Sequence, residues 1–309
     1  QRRSVQTSRP AARSRVTLTA AAYPPIMTFS LNAYARMVNS LSPDPVPGRL
    51  RARAVGQSLV AYAWEPLPGR HILPNRSSTL KIWLQHNLEA VRERIRDAAR
   101  RSGRDPSTIR LVAVTKTVPA ATARALYDLG QQDLAENRIQ VALPKIDEVG
   151  PGPVWHMIGS VQSNKVRKVV GRFSWIHSVD SEALLERIHR VVVETQVSPP
   201  RVLLQVNVSG EASKSGILPQ VVPEILAAAG RLASVEVAGL MTMAPLEADP
   251  ERVRPVFRAL RALRDQANRH AWYRCPLSHL SMGMSGDLEV AVEEGATLVR
   301  VGSALFEPA

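Results

Sequence analysis

From Lys81 onward the chain alternates, with a short β-rich run followed each time by an amphipathic stretch of helical period. The β-rich runs are Leu111 to Thr115, Asp133 to Ala135, Val154 to Ile158, Phe173 to Val179, Arg201 to Val208, Val235 to Met241, Leu277 to Met282 and Leu298 to Val301. Helical stretches such as Ala120 to Leu129, Ile139 to Val149, Ser181 to Glu194, Pro219 to Leu232 and Glu251 to His270 lie between them. A further helix leads the series, because Leu84, Leu88, Val91, Ile95 and Ala98 recur at spacings of three and four and Gly103 follows the last turn. Eight strands joined by seven helical links, with a leading helix to complete the outer ring, predict a single eight-stranded β/α (TIM) barrel over residues 81–309. A doubly wound open sheet is disfavoured, since no Gly-x-Gly-x-x-Gly follows the first strand, where a dinucleotide-binding sheet carries it.

The first 80 residues read differently. Eleven Arg against Asp44 and Glu65 give this quarter +9 of the chain's +13, and nine of the 23 prolines fall in it. No sustained period is evident there, so a disordered, basic, Pro/Arg-rich extension is expected over 1–80. Its acid-poor, Ser-containing composition suits a transit peptide, upstream translated sequence or a tail alike. A nucleic-acid role is disfavoured because the arginines are scattered and lack interleaved aromatics. Cys275, the one cysteine, closes no intramolecular disulfide and builds no thiolate cage, and no apolar run reaches the roughly 20 residues that span a bilayer. A soluble, cytoplasmic protein in a reducing setting, with no membrane partner, is the expectation.

Barrels place their working residues at the C-terminal ends of strands. The first run delivers Lys116, the second ends at Glu136-Asn137, and the third holds His156 before Gly159. The fifth runs into Asn207 and the Ser209 to Gly216 loop, and the sixth gives Met241-Thr242. The last two open into Ser281-Met282-Gly283-Met284-Ser285-Gly286 and Arg300-Val301-Gly302-Ser303. A Lys directly after a buried apolar strand has low-dielectric walls beside its amine, which favours a nucleophilic, Schiff-base-forming group; a Lys snorkelling beside Glu136 is the alternative on position alone. Small hydroxyl-bearing loops on the last two strands suit a phosphate. With Lys116 and Arg300, they describe an aldehyde-bearing phosphate cofactor, pyridoxal 5′-phosphate (PLP). His156 reads as a hydrogen-bonded barrel residue rather than a metal ligand, because no His or Cys partner stands at ligand spacing. Met282 and Met284 read as packing near the cofactor or in the core.

The runs Val112 to Thr117, Glu136 to Gln140, Trp155 to Gly159 with Gln162 to Lys165, Gln205 to Glu211, Ser213 to Gly216, Gly239 to Met243, Leu280 to Ser285 and Val299 to Ala304 closely resemble the YggS/PROSC family of pyridoxal phosphate homeostasis proteins. The resemblance covers residues 84 to 307 and nothing in the first 80. It implies a barrel like the N-terminal domain of alanine racemase, Lys116 as the Schiff-base lysine, phosphate binding by the Ser281 to Ser285 loop and by Gly302-Ser303, and Arg300 at the pyridine nitrogen. Asn137, His156, Lys214, Met241 and Met282 complete the implied cofactor-binding set, Lys214 being a solvated loop lysine on composition and a cofactor-handling residue by resemblance. The implied function is a non-catalytic carrier that buffers PLP or delivers it to apo PLP-dependent enzymes, as a monomer or weak homodimer. An amino-acid racemase is the alternative. It is disfavoured because two-base racemisation needs acids on both faces of the Cα and this chain supplies no sequence after Ala309 to provide the second. Departures from the family pattern are Ala135 for Gly, Val141 for an acidic residue and Ser160 for His.

Overall fold

A computed structural model describes residues 48–55, 58–66, 76–211, 215–245, 247 and 249–307. The chain falls into two compact units, residues 1–74 and 75–309.

In the first unit, β1 (Gly48–Val55) and β2 (Ser58–Pro66) pair antiparallel, from Gly48 opposite Pro66 to Val55 opposite Ser58. Within an extension expected to be mostly disordered, this hairpin is an element the sequence reading did not pick out. Its signal is present but short: Val60, Tyr62 and Trp64 alternate with smaller residues, and Gly56-Gln57 between the runs is a pairing that two-residue hairpin loops favour. The rest of the 1–80 expectation, apart from the start of the first helix, lies outside the described residues.

The second unit is a closed parallel barrel. Its strands are β3 (Arg110–Val114), β4 (Asp133–Glu136), β5 (Val154–Met157), β6 (Trp175–Val179), β7 (Arg201–Gln205), β8 (Glu236–Met241), β9 (His279–Ser281) and β10 (Leu298–Val301). They pair in sequence order, and β10 closes the ring on β3. All eight sequence-predicted runs are strands. Five are shorter than read, and two of them lose three residues each for local reasons. After Gln205, Asn207 turns its carboxamide to the backbone of Gly210 and Glu211, and before His279 the Leu277 amide is taken by Asn268 Oδ1 at 2.7 Å.

The outer layer comprises α1 (Arg76–Arg101), α2 (Ala120–Asp128), α3 (Ile139–Val149), α4 (Val166–Val169), α5 (Glu182–Thr195), α6 (Val222–Gly230), α7 (Arg254–Arg269), α8 (Leu288–Glu293) and α9 (Ser303–Phe306). The α1 stripe of Leu84, Leu88, Val91, Ile95 and Ala98 is buried as its spacing predicts. The helix starts at Arg76, so the ordered unit begins before Lys81. Period-two alternation divides the strand side chains between two cores. Leu111, Ala113, Leu134, Met157, Ile176, Leu204, Leu280, Val299 and Val301 pack outward under the helices, while Val112, Val114, Ala135, Trp175, Leu203, Met241 and Leu298 fill the barrel.

Candidate cofactor site

The same parity sets what the barrel presents at its C-terminal mouth. A cavity of about 750 Å³ opens there, lined among others by Val114, Lys116, Asn137, Ser160, Ser285, Arg300, Gly302 and Ser303. Lys116 is two residues beyond Val114, hence on the inward face, but its side chain is exposed. Exposure does not match the desolvation expected of it, so its placement in the cavity and not burial recommends it. Nor does Glu136 face it. That carboxylate is fully buried on the outer side of β4, where it accepts from Thr115 Oγ1 at 2.7 Å and from Lys145 Nζ at 2.5 Å. Lys145 went unnoticed in the sequence, since a buried Lys on an amphipathic helix looks like any solvated one. Asn137 is placed by a close approach: a Cβ on Gly159 would lie 2.0 Å from the Asn137 carbonyl oxygen, so only glycine lets the β5 end pass beneath it.

Two loops form one wall. The backbone N–H groups of Ser285, Gly286, Gly302 and Ser303 have no protein acceptor among the described residues, and Ser285 Oγ accepts from the Ala304 amide at 3.3 Å, tying the loops together. Gly283 turns the first loop at φ +91, and Asp287 accepts from the Met284 amide. Asp287 was also missed; its place just before α8 is the available signal. Burial pushes its carboxyl up, opposed by the Met284 amide and the Arg300 charge.

Arg300 is fully buried at its tip. Nη1 donates to Ser281 Oγ at 2.6 Å and Nη2 to the Thr242 carbonyl at 3.0 Å. Burial pushes its pKa down to about 10, with Asp287 partly opposing, so it stays cationic at neutral pH.

Of the expected residues, Lys116, Asn137, Ser285, Arg300, Gly302 and Ser303 meet in the cavity, and four do not line it. Met282 points outward into the helix-facing core and Met241 lies within the barrel core, as their strand parity requires. His156 is buried deeper, with Nε2 2.9 Å from Asp133 Oδ1 and Nδ1 2.9 Å from His177 Nε2. It is a hydrogen-bonded barrel residue, and no cluster able to hold a metal exists among the described residues. Ser281 is buried between Arg300 and His177, whose Nδ1 is 2.9 Å from its Oγ. That hydroxyl is engaged below the cavity floor and is not available to a phosphate above it. Lys214 lies outside the described residues.

The alanine racemase N-terminal domain family matches residues 86–308. The pyridoxal phosphate homeostasis proteins of Pseudomonas aeruginosa and Aquifex aeolicus are 43% and 42% identical, over 72% and 71% of this chain and 94% and 95% of theirs. The chain belongs to the pyridoxal phosphate homeostasis protein family. PipY of Synechococcus elongatus, solved with PLP bound, is 36% identical with a TM-score of 0.63, over 72% of this chain and 99% of that one. Alanine racemase of Corynebacterium glutamicum, 17% identical with a TM-score of 0.57 over 74% of this chain and 62% of that one, shares the fold. The three positions expected to depart from the family pattern fall in different places. The Ala135 methyl fills the inner core, Val141 is exposed, and Ser160 lines the cavity. No described helix is long and apolar enough to cross a membrane.

Proposed function

We propose that this chain binds PLP at the barrel mouth, carries it as a Schiff base on Lys116, and buffers it or hands it to apo PLP-dependent enzymes in the cytoplasm without catalysing a reaction of its own. The observation that carries this reading is the meeting, in one cavity, of an exposed lysine amine, a buried guanidinium and four backbone N–H groups without acceptors among the described residues. That set fits the cofactor's parts. The amides of Ser285, Gly286, Gly302 and Ser303 suit a phosphate dianion, which is stabilised by converging N–H dipoles. When bound, PLP supplies an aldehyde that condenses with amines and a ring that withdraws electrons.

Arg300 stays protonated beneath the cavity and therefore offers donors only, so it gives a ring nitrogen no proton and does not strengthen the ring as an electron sink. Ser281 and Thr242 hold that guanidinium from below, and Asn137 borders Lys116. An exposed Lys116 is reachable by solvent and by an incoming acceptor, which suits release more than sequestration.

The test is a visible absorption spectrum of the purified protein with PLP, followed by borohydride reduction and peptide mapping. A pyridoxyl label on Lys116, lost in Lys116→Ala while the barrel stays folded, is expected. A label mainly on Lys165 or Lys214 overturns the lysine assignment, and turnover of alanine enantiomers by the loaded protein overturns the carrier reading.

A further inference from the structure

Five polar residues cross the barrel interior end to end. Asp133 at the start of β4 contacts His156, His156 contacts His177, His177 contacts Ser281, and Ser281 contacts Arg300, with separations of 2.9, 2.9, 2.9 and 2.6 Å. The two histidines are completely buried, and apolar Trp175 stacks on His156 at 5.6 Å. At one end Arg300 can only donate, and at the other an ionised Asp133 can only accept. Two neutral imidazoles and one hydroxyl between such ends leave a single consistent direction. Arg300 donates to Ser281, Ser281 to His177 Nδ1, His177 Nε2–H to His156 Nδ1, and His156 Nε2–H to Asp133.

We propose that Asp133 is a positioning residue for Arg300: from the far rim of the barrel it fixes the direction of this chain and thereby the seat of the guanidinium under the cofactor cavity. Its importance for PLP rests on the function proposed above; the chain itself does not. Asp133 is the natural control point because its side chain is 15% exposed and borders a second cavity of about 300 Å³, while His156, His177 and Ser281, the links between it and Arg300 at the cofactor cavity, are fully buried. The charged and titratable groups facing the chain are Arg110, 3.4 Å from Asp133, His279 and Arg201 around Trp175, and Asp287 near Arg300. Burial holds both imidazoles below their ordinary pKa, His177 well below, which keeps them neutral as the direction requires.

Without the Asp133 acceptor, His156 loses its reason to keep the proton on Nε2. The chain is then free to reverse, His177 donating from Nδ1 to Ser281 and the Ser281 proton turning away from His177.

Long-range proton–nitrogen NMR of the unliganded protein at neutral pH tests this directly. Neutral Nε2–H tautomers are expected at both His156 and His177, with slowed rotation of the Arg300 guanidinium. Asp133→Ala should move His177 toward Nδ1–H and speed the guanidinium rotation, Asp133→Asn should largely restore both, and PLP affinity in Asp133→Ala should fall about tenfold, within the range by which residues that touch no ligand bias a coupled site. A cationic or Nδ1–H histidine in the unsubstituted protein overturns the proposal whether or not the variants fold. So does an unchanged His177 in a folded Asp133→Ala. Failure of PLP to bind the unsubstituted protein would sink the function proposed above and leave the tautomer results to judge the chain.

Discussion

His156, His177 and His279 all have their pKa lowered, by burial first, and this makes stability sensitive to mild acid. The unfolded chain protonates each near pH 6.5, whereas the native barrel does not, so their contribution is complete above that value and is lost as pH falls below it. Each adds a slope of up to ~1.4 kcal/mol per pH unit until its folded pKa is reached. Urea unfolding should therefore show clearly lower stability at about pH 5.5 than at about pH 7.5, and equal stability would mean the imidazoles are charged in the barrel. The Glu136–Lys145 pair behaves differently. Both partners are buried, so Lys145→Ala leaves an uncompensated carboxylate and should cost about 3–5 kcal/mol, while the double substitution E136Q/K145M recovers much of it. Denaturant midpoints of the three proteins measure this, and equal loss in single and double variants would show that packing and not charge is at stake.

Among the elements, the ends of β4 and β5 depend on Gly159. In Gly159→Ala the new methyl meets the Asn137 backbone, which cannot yield without moving the residues after β4. The strain should cost about 1–3 kcal/mol. Because Asn137 and Ser160 both line the cavity, PLP affinity should fall as well; preserved affinity and stability would mean the two turns separate freely. The loops after β9 and β10 offer the complementary case. Ser285→Ala removes the acceptor that ties Ala304 to the first loop, whereas Ser281→Ala removes a link beneath Arg300. Titration with PLP and with pyridoxal separates them. Ser285→Ala should weaken PLP while sparing pyridoxal, and Ser281→Ala should weaken both.

For the whole molecule, the eight barrel strands and the nine helices all belong to residues 75–309. Deleting residues 1–74 is expected to leave the barrel's unfolding free energy unchanged to within about 0.5 kcal/mol, the range of changes that touch no core feature. Deleting through residue 88 should not be tolerated, because it strips Leu84 and Leu88 from the core under α1. Thermal melts of the two truncations distinguish these outcomes, and a destabilised 75–309 chain would show that the leader braces the barrel.

Much of the architecture was legible along the chain, because strand and helix periods are local and each of these elements hides one face. Lys116, Asn137, Ser285, Arg300, Gly302 and Ser303 could be found the same way, since strand ends in a barrel converge on one mouth. The +9 leader hid a hairpin, whose alternation was too brief to stand out from its prolines. The barrel interior was a matter for tertiary structure. Whether Ser281 faces a ligand or a histidine, and whether Glu136 meets Lys116 or Lys145, depends on which side chains closure brings across the barrel and between its layers. His177 and Asp133 carry no local mark of partnership; 44 residues separate them in sequence, and His156 bridges them only because β4, β5 and β6 lie side by side.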